Sequence, residues 1–289
     1  MSKTAPQFSF HHEITHTVID PHSLACYHWP LPDGTSKALV LLVHGLGEHM
    51  GRYQHVAFAL KNAGYAVLGY DHVGHGLSSG KRGDTDSPLQ LIEHLRRMVK
   101  EVTQLHPGLP LVLLGHSMGG LVVQRAVAAD ATLADAVVMS SPALAAFTNG
   151  FQKFLLATMP KWFPHLRVDN GLKLDGLARD AQVVRDYKLD PLVHRFISAS
   201  LAAWIVKEGI QAVQDAAKWQ VPALLLYAGQ DKLVNPQGSA EFSKRASADV
   251  LQSHCFNVMY HEIFNDPEKQ GVLQKLTVWL NARYAAGSE

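Results

Sequence analysis

The feature that most constrains this chain is a set of short apolar runs with almost no polar alternation. Residues 38–43, 66–70, 111–114, 136–139, 223–227 and 255–259 are rich in Val, Leu and Ala, and each ends in a Gly-, Asp- or Ser-containing turn. A strand with one wet face alternates apolar and polar residues. A run that is apolar throughout belongs to a strand covered on both faces, as in a parallel sheet. Helical periodicity fills the intervals. Residues 89–105 carry an apolar stripe of Leu91, Ile92, Leu95, Met98, Val99 and Val102, and residues 119–129 and 271–284 have similar patterns. Strand and helix in succession, joined by right-handed crossovers, predict an α/β fold with a mostly parallel sheet of about eight strands flanked by helices. Residues 13–19 and 24–29 alternate better and predict an antiparallel edge hairpin.

The alternation of strand and helix breaks after Pro142. From there to about Arg195 no strand-like run is visible, and the stretch holds Pro160, Pro164, Pro191 and several short helical patterns. It is too long for a plain loop. The expectation is a helical cap inserted after the sixth strand, over the end of the sheet. The chain then divides into a core of residues 1–142, a cap of 143–195 and the rest of the core, 196–289. With 289 residues, 47% hydrophobic and 18% charged, it has enough material for one large core plus an inserted subdomain.

The sharpest local signal is LVLLGHSMGG, residues 111–120, in which a buried strand runs into Gly115-His116-Ser117-Met118-Gly119 and an Ala/Val-rich helix follows. This is a G-x-S-x-G elbow in the strand–turn–helix setting that such a motif requires. The turn brings the residues two before and two after the serine close together, so both must be very small. It lifts Ser117 above the sheet at a helix N-terminus, where developing negative charge is favoured. A serine hydroxyl needs a base to take its proton and a third group to hold the base. Reading on in the order Ser, acid, His, the run ALLLYAGQD places Asp231 at the end of a strand, and CFNVMYH places His261 at the end of another. All three then meet at the C-terminal edge of the sheet, where open α/β folds build their sites. His116 is expected to pack beneath the elbow. An oxyanion would be met by the backbone N–H of Met118 and by that of Leu46, in the loop VHGLGEHMGRY after the third strand. Glu48 and Arg52 are placed to brace that loop as a pair.

Several functions are disfavoured. Formal net charge is +1, with no block of Lys and Arg, so nucleic acid is not an expected partner. The start, MSKTAPQFSF, does not read as a secretory signal, and no apolar run is long enough to span a bilayer. Two cysteines far apart, Cys26 and Cys255, read as buried thiols of a cytoplasmic protein. His12-Glu13-Ile14-Thr15-His16 spells H-E-x-x-H, but its β-branched residues suggest a strand. There the histidines would stand roughly 13 Å apart, too far for one metal ion. Neither glycine cluster, at 45, 47 and 51 or at 74, 76 and 80, has the G-x-G-x-x-G spacing of a nucleotide site. No metal and no cofactor are expected.

Taken together, HGLGEHMGRY (44–53), YDHVGHGLSSG (70–80), GHSMGG (115–120) and AGQDKLV (228–234) resemble the monoacylglycerol lipase and lysophospholipase group of α/β-hydrolases. The likeness runs from about residue 38 onward and is weakest in the cap, although Asp190-Pro191-Leu192 also fits. It implies nucleophile Ser117, acid Asp231, base His261 and oxyanion donors Leu46 and Met118. It further implies hydrolysis of a lipid ester without metal or organic cofactor, under an apolar cap that makes transient contact with a membrane surface. In the cap, Phe151, Phe154, Leu155, Met159, Trp162 and Phe163 fall near one face of a helical pattern, with Lys153 and Lys161 alongside. Such a face suits substrate binding or a membrane interface, and equally suits packing on the core. The rival readings are a lysophospholipase, a short-chain carboxylesterase or thioesterase, a peptidase with an acidic cap site, and a binding protein on the same fold.

Overall fold

The computed structural model describes residues 12–31, 36–147, 156 and 158–284. The large sheet holds eight strands: β1 (Glu13–Ile19), β2 (His22–Trp29), β3 (Leu39–Val43), β4 (Ala66–Tyr70), β5 (Leu111–His116), β6 (Ala136–Ser140), β9 (Ala223–Ala228) and β10 (Leu251–Phe256). Its spatial order is β1-β2-β4-β3-β5-β6-β9-β10. β1 and β2 form the expected antiparallel hairpin, and β2 also runs antiparallel to β4. All remaining pairs are parallel.

Side-chain alternation in the central strands does not separate wet from dry; it separates two cores. Leu41, Val43, Leu113 and Met139 face one cluster, while Val40, Leu42, Leu114 and Val138 face the other. The first cluster is covered by α2 (Gln90–Leu105), α3 (Met118–Ala129), α5 (Ala199–Gln214) and α6 (Gln237–Arg245). The second is covered by α1 (Gln54–Asn62) and α7 (Lys269–Tyr284). This is why the runs are apolar at every position: both faces lose their water, at about 25 cal/mol per Å² of apolar surface.

The segment between β6 and β9 departs from the expectation of an all-helical insert. Besides a helical stretch at 158–162 and α4 (Ala181–Leu189), it contains a short strand, β7 (Arg167–Asp169), paired antiparallel with β8 (Phe196–Ser198). Three-residue strands lack the length to show a period in sequence, and the line drawn at residue 195 separates β7 from its partner. The segment is tied to the core at several points. The N–H of Glu262 donates to the Leu177 carbonyl at 2.9 Å, that of His194 to Gly47 at 3.0 Å, and that of Ser198 to Gly83 at 2.8 Å. The Arg179 guanidinium pairs with both oxygens of Asp266.

The last strand also corrects the sequence reading. It spans Leu251–Phe256, not residues 255–259. As an edge strand it exposes Gln252 and Ser253, so its polar half hid it from a search for apolar runs. Residues 13–16 do fall at the start of β1, with His12 immediately before it. Among the described residues, no helix is long and apolar enough to cross a membrane.

Candidate active site

Register brings the site together. Val43 pairs with Gly115, His116 with Ser140 and Ser140 with Leu226, so four parallel strands end along one line. Ser117 follows β5 directly with φ 53° and ψ −119°, a strained conformation for a side chain-bearing residue. The elbow is locked from both sides. The Ser117 N–H donates to the Ser140 carbonyl at 2.9 Å, and its own carbonyl accepts from Leu121 and Ala143. A Cβ on Gly115 would run into the Gly119 carbonyl, and one on Gly119 into the carbonyls of Val43 and His44. The two glycines flanking the elbow are therefore required by close approach, as the motif suggested.

Asp231 lies three residues beyond β9, and His261 five beyond β10, so each is carried back over the sheet edge by a loop. His261 is accordingly not at the end of its strand, although it reaches the expected place. Its Nδ1 donates to Asp231 Oδ2 at 2.6 Å, and its Nε2 lies 2.9 Å from Ser117 Oγ. With the Nδ1 proton held by a carboxylate, Nε2 is left unprotonated toward the serine hydroxyl. Asp231 Oδ1 accepts the backbone N–H groups of Leu233 and Val234, which fixes the carboxylate plane. Burial pushes the His261 imidazole down, but the charge and hydrogen bond of Asp231, helped by Glu262 and Glu48, outweigh it and leave its pKa raised. His116 packs under the elbow as expected. Its Nδ1 meets Ser140 Oγ at 3.0 Å, and burial, then the His261 charge, push it down to about 3.

Met118 is the first residue of α3, so its N–H has no acceptor within the helix. Leu46 lies opposite, in the loop after β3, and both residues line the cavity into which Ser117 projects. The approach is close: a Cβ on Gly45 would stand 3.0 Å from the Ser117 Cβ. The loop is held by two buried carboxylates. Asp71 accepts the Met50 N–H, the Leu77 N–H and the Tyr27 hydroxyl. Glu48 accepts the Gly45 N–H at 2.6 Å and the Tyr53 hydroxyl at 2.7 Å. The expected Glu48–Arg52 pair is present at 2.9 Å. Arg52 also grips both oxygens of Glu262, at 2.5 and 2.8 Å. No motif in the sequence points to Glu262. Its partner lies 210 positions away, a separation no local pattern can register.

The cavity, about 210 Å³, is walled by aliphatic side chains including Leu156, Leu172, Ile197, Ile205, Val206 and Val234. Of the cap residues singled out in sequence, Phe151, Phe154 and Leu155 lie outside the described residues. Met159 is partly exposed and is not among the residues that line this cavity, whereas Leu156 is. Trp162 and Phe163 face solvent, 79% and 59% exposed. Among the described residues, no group of three or more His, Cys, Asp or Glu side chains has the arrangement to hold a metal ion.

A mostly parallel sheet flanked by helices, with a strained serine after the fifth strand hydrogen-bonded to a histidine and through it to an aspartate, defines the α/β-hydrolase class. Within that class the model of the family described as serine aminopeptidase, S33 (Hydrolase_4) matches residues 34–268, and the chain belongs to that family. The chain is 36% identical over 253 residues to a monoacylglycerol lipase of Mycolicibacterium smegmatis, covering 86% of this chain and 90% of that one. It resembles the crystal structure of Paleococcus ferrophilus monoacylglycerol lipase with a TM-score of 0.82 and 34% identity, covering 90% of this chain and 98% of the other. The fold also matches a soluble variant of monoglyceride lipase from Saccharomyces cerevisiae, with a TM-score of 0.87 at 20% identity over 97% of this chain and 99% of the other.

Proposed function

We propose that this protein is a serine esterase that cleaves monoacylglycerols to glycerol and a fatty acid through an acyl-enzyme. The observation that carries the reading is the character of the cavity around Ser117. Its walls are aliphatic, and its carboxylates among the described residues, Glu48 and Glu262, are both engaged by Arg52. An acyl chain gains by entering such a space. A substrate ammonium, which an aminopeptidase must recognise, would find no free carboxylate among them, although the family description names a peptidase. Asn170 and Tyr187 offer polar groups to the hydroxyls of a glycerol head. Two relatives above 30% identity, both monoacylglycerol lipases by name, support the same choice.

In the proposed reaction His261 Nε2 takes the Ser117 proton as Oγ attacks the ester carbonyl, and the N–H groups of Leu46 and Met118 receive the oxyanion. His261 then gives its proton to the departing glycerol oxygen. A water enters, loses a proton to His261 and attacks the acyl-serine; the second oxyanion then collapses as His261 returns the proton to the departing Ser117 Oγ, which releases the fatty acid and restores the free serine. Asp231 holds the imidazole tautomer throughout. Residues 143–195 act as a cap over this pocket. Trp162, Phe163, Leu166 and Leu189 are exposed there, and exposed apolar side chains suit transient contact with a membrane surface while the chain itself resides in the cytoplasm.

The test is fatty-acid release from a long-chain monoacylglycerol and from the matching lysophosphatidylcholine, with Ser117→Ala in parallel. Release mainly from the glyceride, lost in the variant, is the expected result. Release mainly from the phospholipid would replace the proposed substrate, and undiminished turnover by Ser117→Ala would remove the catalytic reading altogether.

A further inference from the structure

Arg52 stands where three separate parts of the chain meet. Toward its own loop, Nη1 donates to Glu48, whose other oxygen accepts the Gly45 N–H next to the Leu46 donor. Toward the loop that carries the base, Nη1 and Nη2 form a two-pronged pair with Glu262, the residue bonded to His261. Toward the segment between β6 and β9, its guanidinium carbon lies 4.7 Å from the centre of the Tyr187 ring. The Arg52 side chain is 11% exposed and both carboxylates 5%. The other polar groups around this cluster are Tyr53 from the same loop, Asn265 from the base loop, His116 from the elbow and His55 from α1.

We infer that Arg52, acting through Glu48 and Glu262, is a positioning residue that sets the distance between the oxyanion donor Leu46 and the base His261. The inference rests on the catalytic roles proposed above. The physical case is geometric. A planar guanidinium offers a fixed fork, so Glu262 can sit at only one distance and angle from it, and the remaining Nη1 direction fixes Glu48. An ammonium on a flexible stem imposes neither constraint. Buried carboxylates that lose this partner are unstable as charges and relax away. The oxyanion loop and the base loop, 210 positions apart at Arg52 and Glu262, have no shared strand to hold them in register, and this cluster does that work. A second consequence follows from position alone. Glu262, ionised by its bond to Arg52, places a negative charge beside the imidazole and favours its protonated form.

The inference is tested with Arg52→Lys, Glu48→Gln and Glu262→Gln, measuring kcat and KM on p-nitrophenyl butyrate between pH 5 and 9. This ester needs no glycerol recognition, and Ser117→Ala, run alongside, tells a failure of the catalytic reading from a failure of this one. Each substitution is expected to lower kcat about 10- to 100-fold while KM stays within about threefold, because the aliphatic walls that take the acyl chain are unchanged. Glu262→Gln is further expected to move the acid limb of kcat/KM to lower pH, which loss of stability alone would not do. If Arg52→Lys does not fold, Glu262→Gln, nearly isosteric, carries the test. Values of kcat within about twofold of the parent, a loss confined to KM, or an unmoved acid limb in Glu262→Gln would each overturn it.

Discussion

Gly45→Ala puts the proposed oxyanion geometry to its most direct test. The added methyl would stand 2.9 Å from Glu48 Oε1, 3.0 Å from the Ser117 Cβ and 3.5 Å from the His116 carbonyl. None of these can give way easily. Glu48 is held by Arg52 and Tyr53, Ser117 by its elbow, and the His116 carbonyl belongs to the central strand. Ordinary carbon contacts begin at about 3.5 Å, so the loop must retreat by about 0.5 Å or more, and Leu46 retreats with it. A donor displaced on that scale loses much of its bond to the oxyanion. Removing one such donor costs about 10²- to 10³-fold in kcat, so a partial loss of about 10²-fold is expected, with KM little changed. Steady-state kinetics on a soluble monoacylglycerol would read this, with thermal melting as a check on folding. Gly271→Ala is the matched control: it lies in α7 with nothing within 4 Å of the new Cβ. It should leave kcat alone and stabilise the helix by about 0.5–1 kcal/mol. A folded Gly45→Ala enzyme with kcat within threefold of the parent would refute the placement of the oxyanion beside this loop.

Three further expectations follow from the charges and the cavity. The proposed base works only when neutral, so kcat/KM should fall as pH drops through the His261 pKa, which is raised above its ordinary value of 6.5. Asp231→Asn should move that limb down and cost about 10⁴-fold in kcat through loss of the correct tautomer; an unshifted limb would assign it to another group. Folding stability should also fall in acid. His72 and His116, both pushed down to about 3 by burial, stay neutral when folded but take up a proton below about 6.5 when unfolded. Their contribution is complete above pH 6.5 and drains below it, by about 2 kcal/mol each at pH 5, while His261, with its raised pKa, works in the opposite sense. Denaturant melts at pH 7.5 and 5 would show this, and equal stability at the two would contradict it. Finally, Val206→Trp narrows the aliphatic cavity at a residue that also lines a second groove beside Leu156 and Trp204. Turnover of long acyl chains should drop by about tenfold or more relative to butyryl esters; an unchanged chain-length profile would place the acyl chain elsewhere.

A peptidase that recognises a substrate ammonium needs an unpaired carboxylate to meet it. Glu48 and Glu262 line the cavity, and if either were free it would offer an ammonium a counter-ion. One arginine answers both. Burial raises the Glu48 carboxyl above its usual range despite Arg52. Burial also opposes ionisation of Glu262, but there the charge and paired hydrogen bonds of Arg52 prevail and hold it below that range. The pocket thus keeps its carboxylates for internal bracing and presents hydrocarbon to the substrate.

How much of this could be read without coordinates depended on the range of the interaction concerned. The apolar runs determined a doubly covered parallel sheet because burial on both faces leaves its mark within five or six residues. The elbow was legible for the same reason: its two glycines are demanded by a turn closed within a few residues. Asp231 and His261 could be named because each follows a strand at the same sheet edge, a rule of topology and not of local pattern. The edge strand Leu251–Phe256 was misplaced by four residues at its start, since half its surface is wet, and the pairing of β7 with β8 left no period to detect. What only the tertiary structure decided is the brace around the chemistry. Glu262 meets Arg52, His49 meets Asp190 at 2.8 Å, and Asp71 gathers donors from three segments. Such contacts join residues far apart in sequence, and burial with a partner, not residue type, decides whether a glutamate is a solvated surface charge or a strut beside His261.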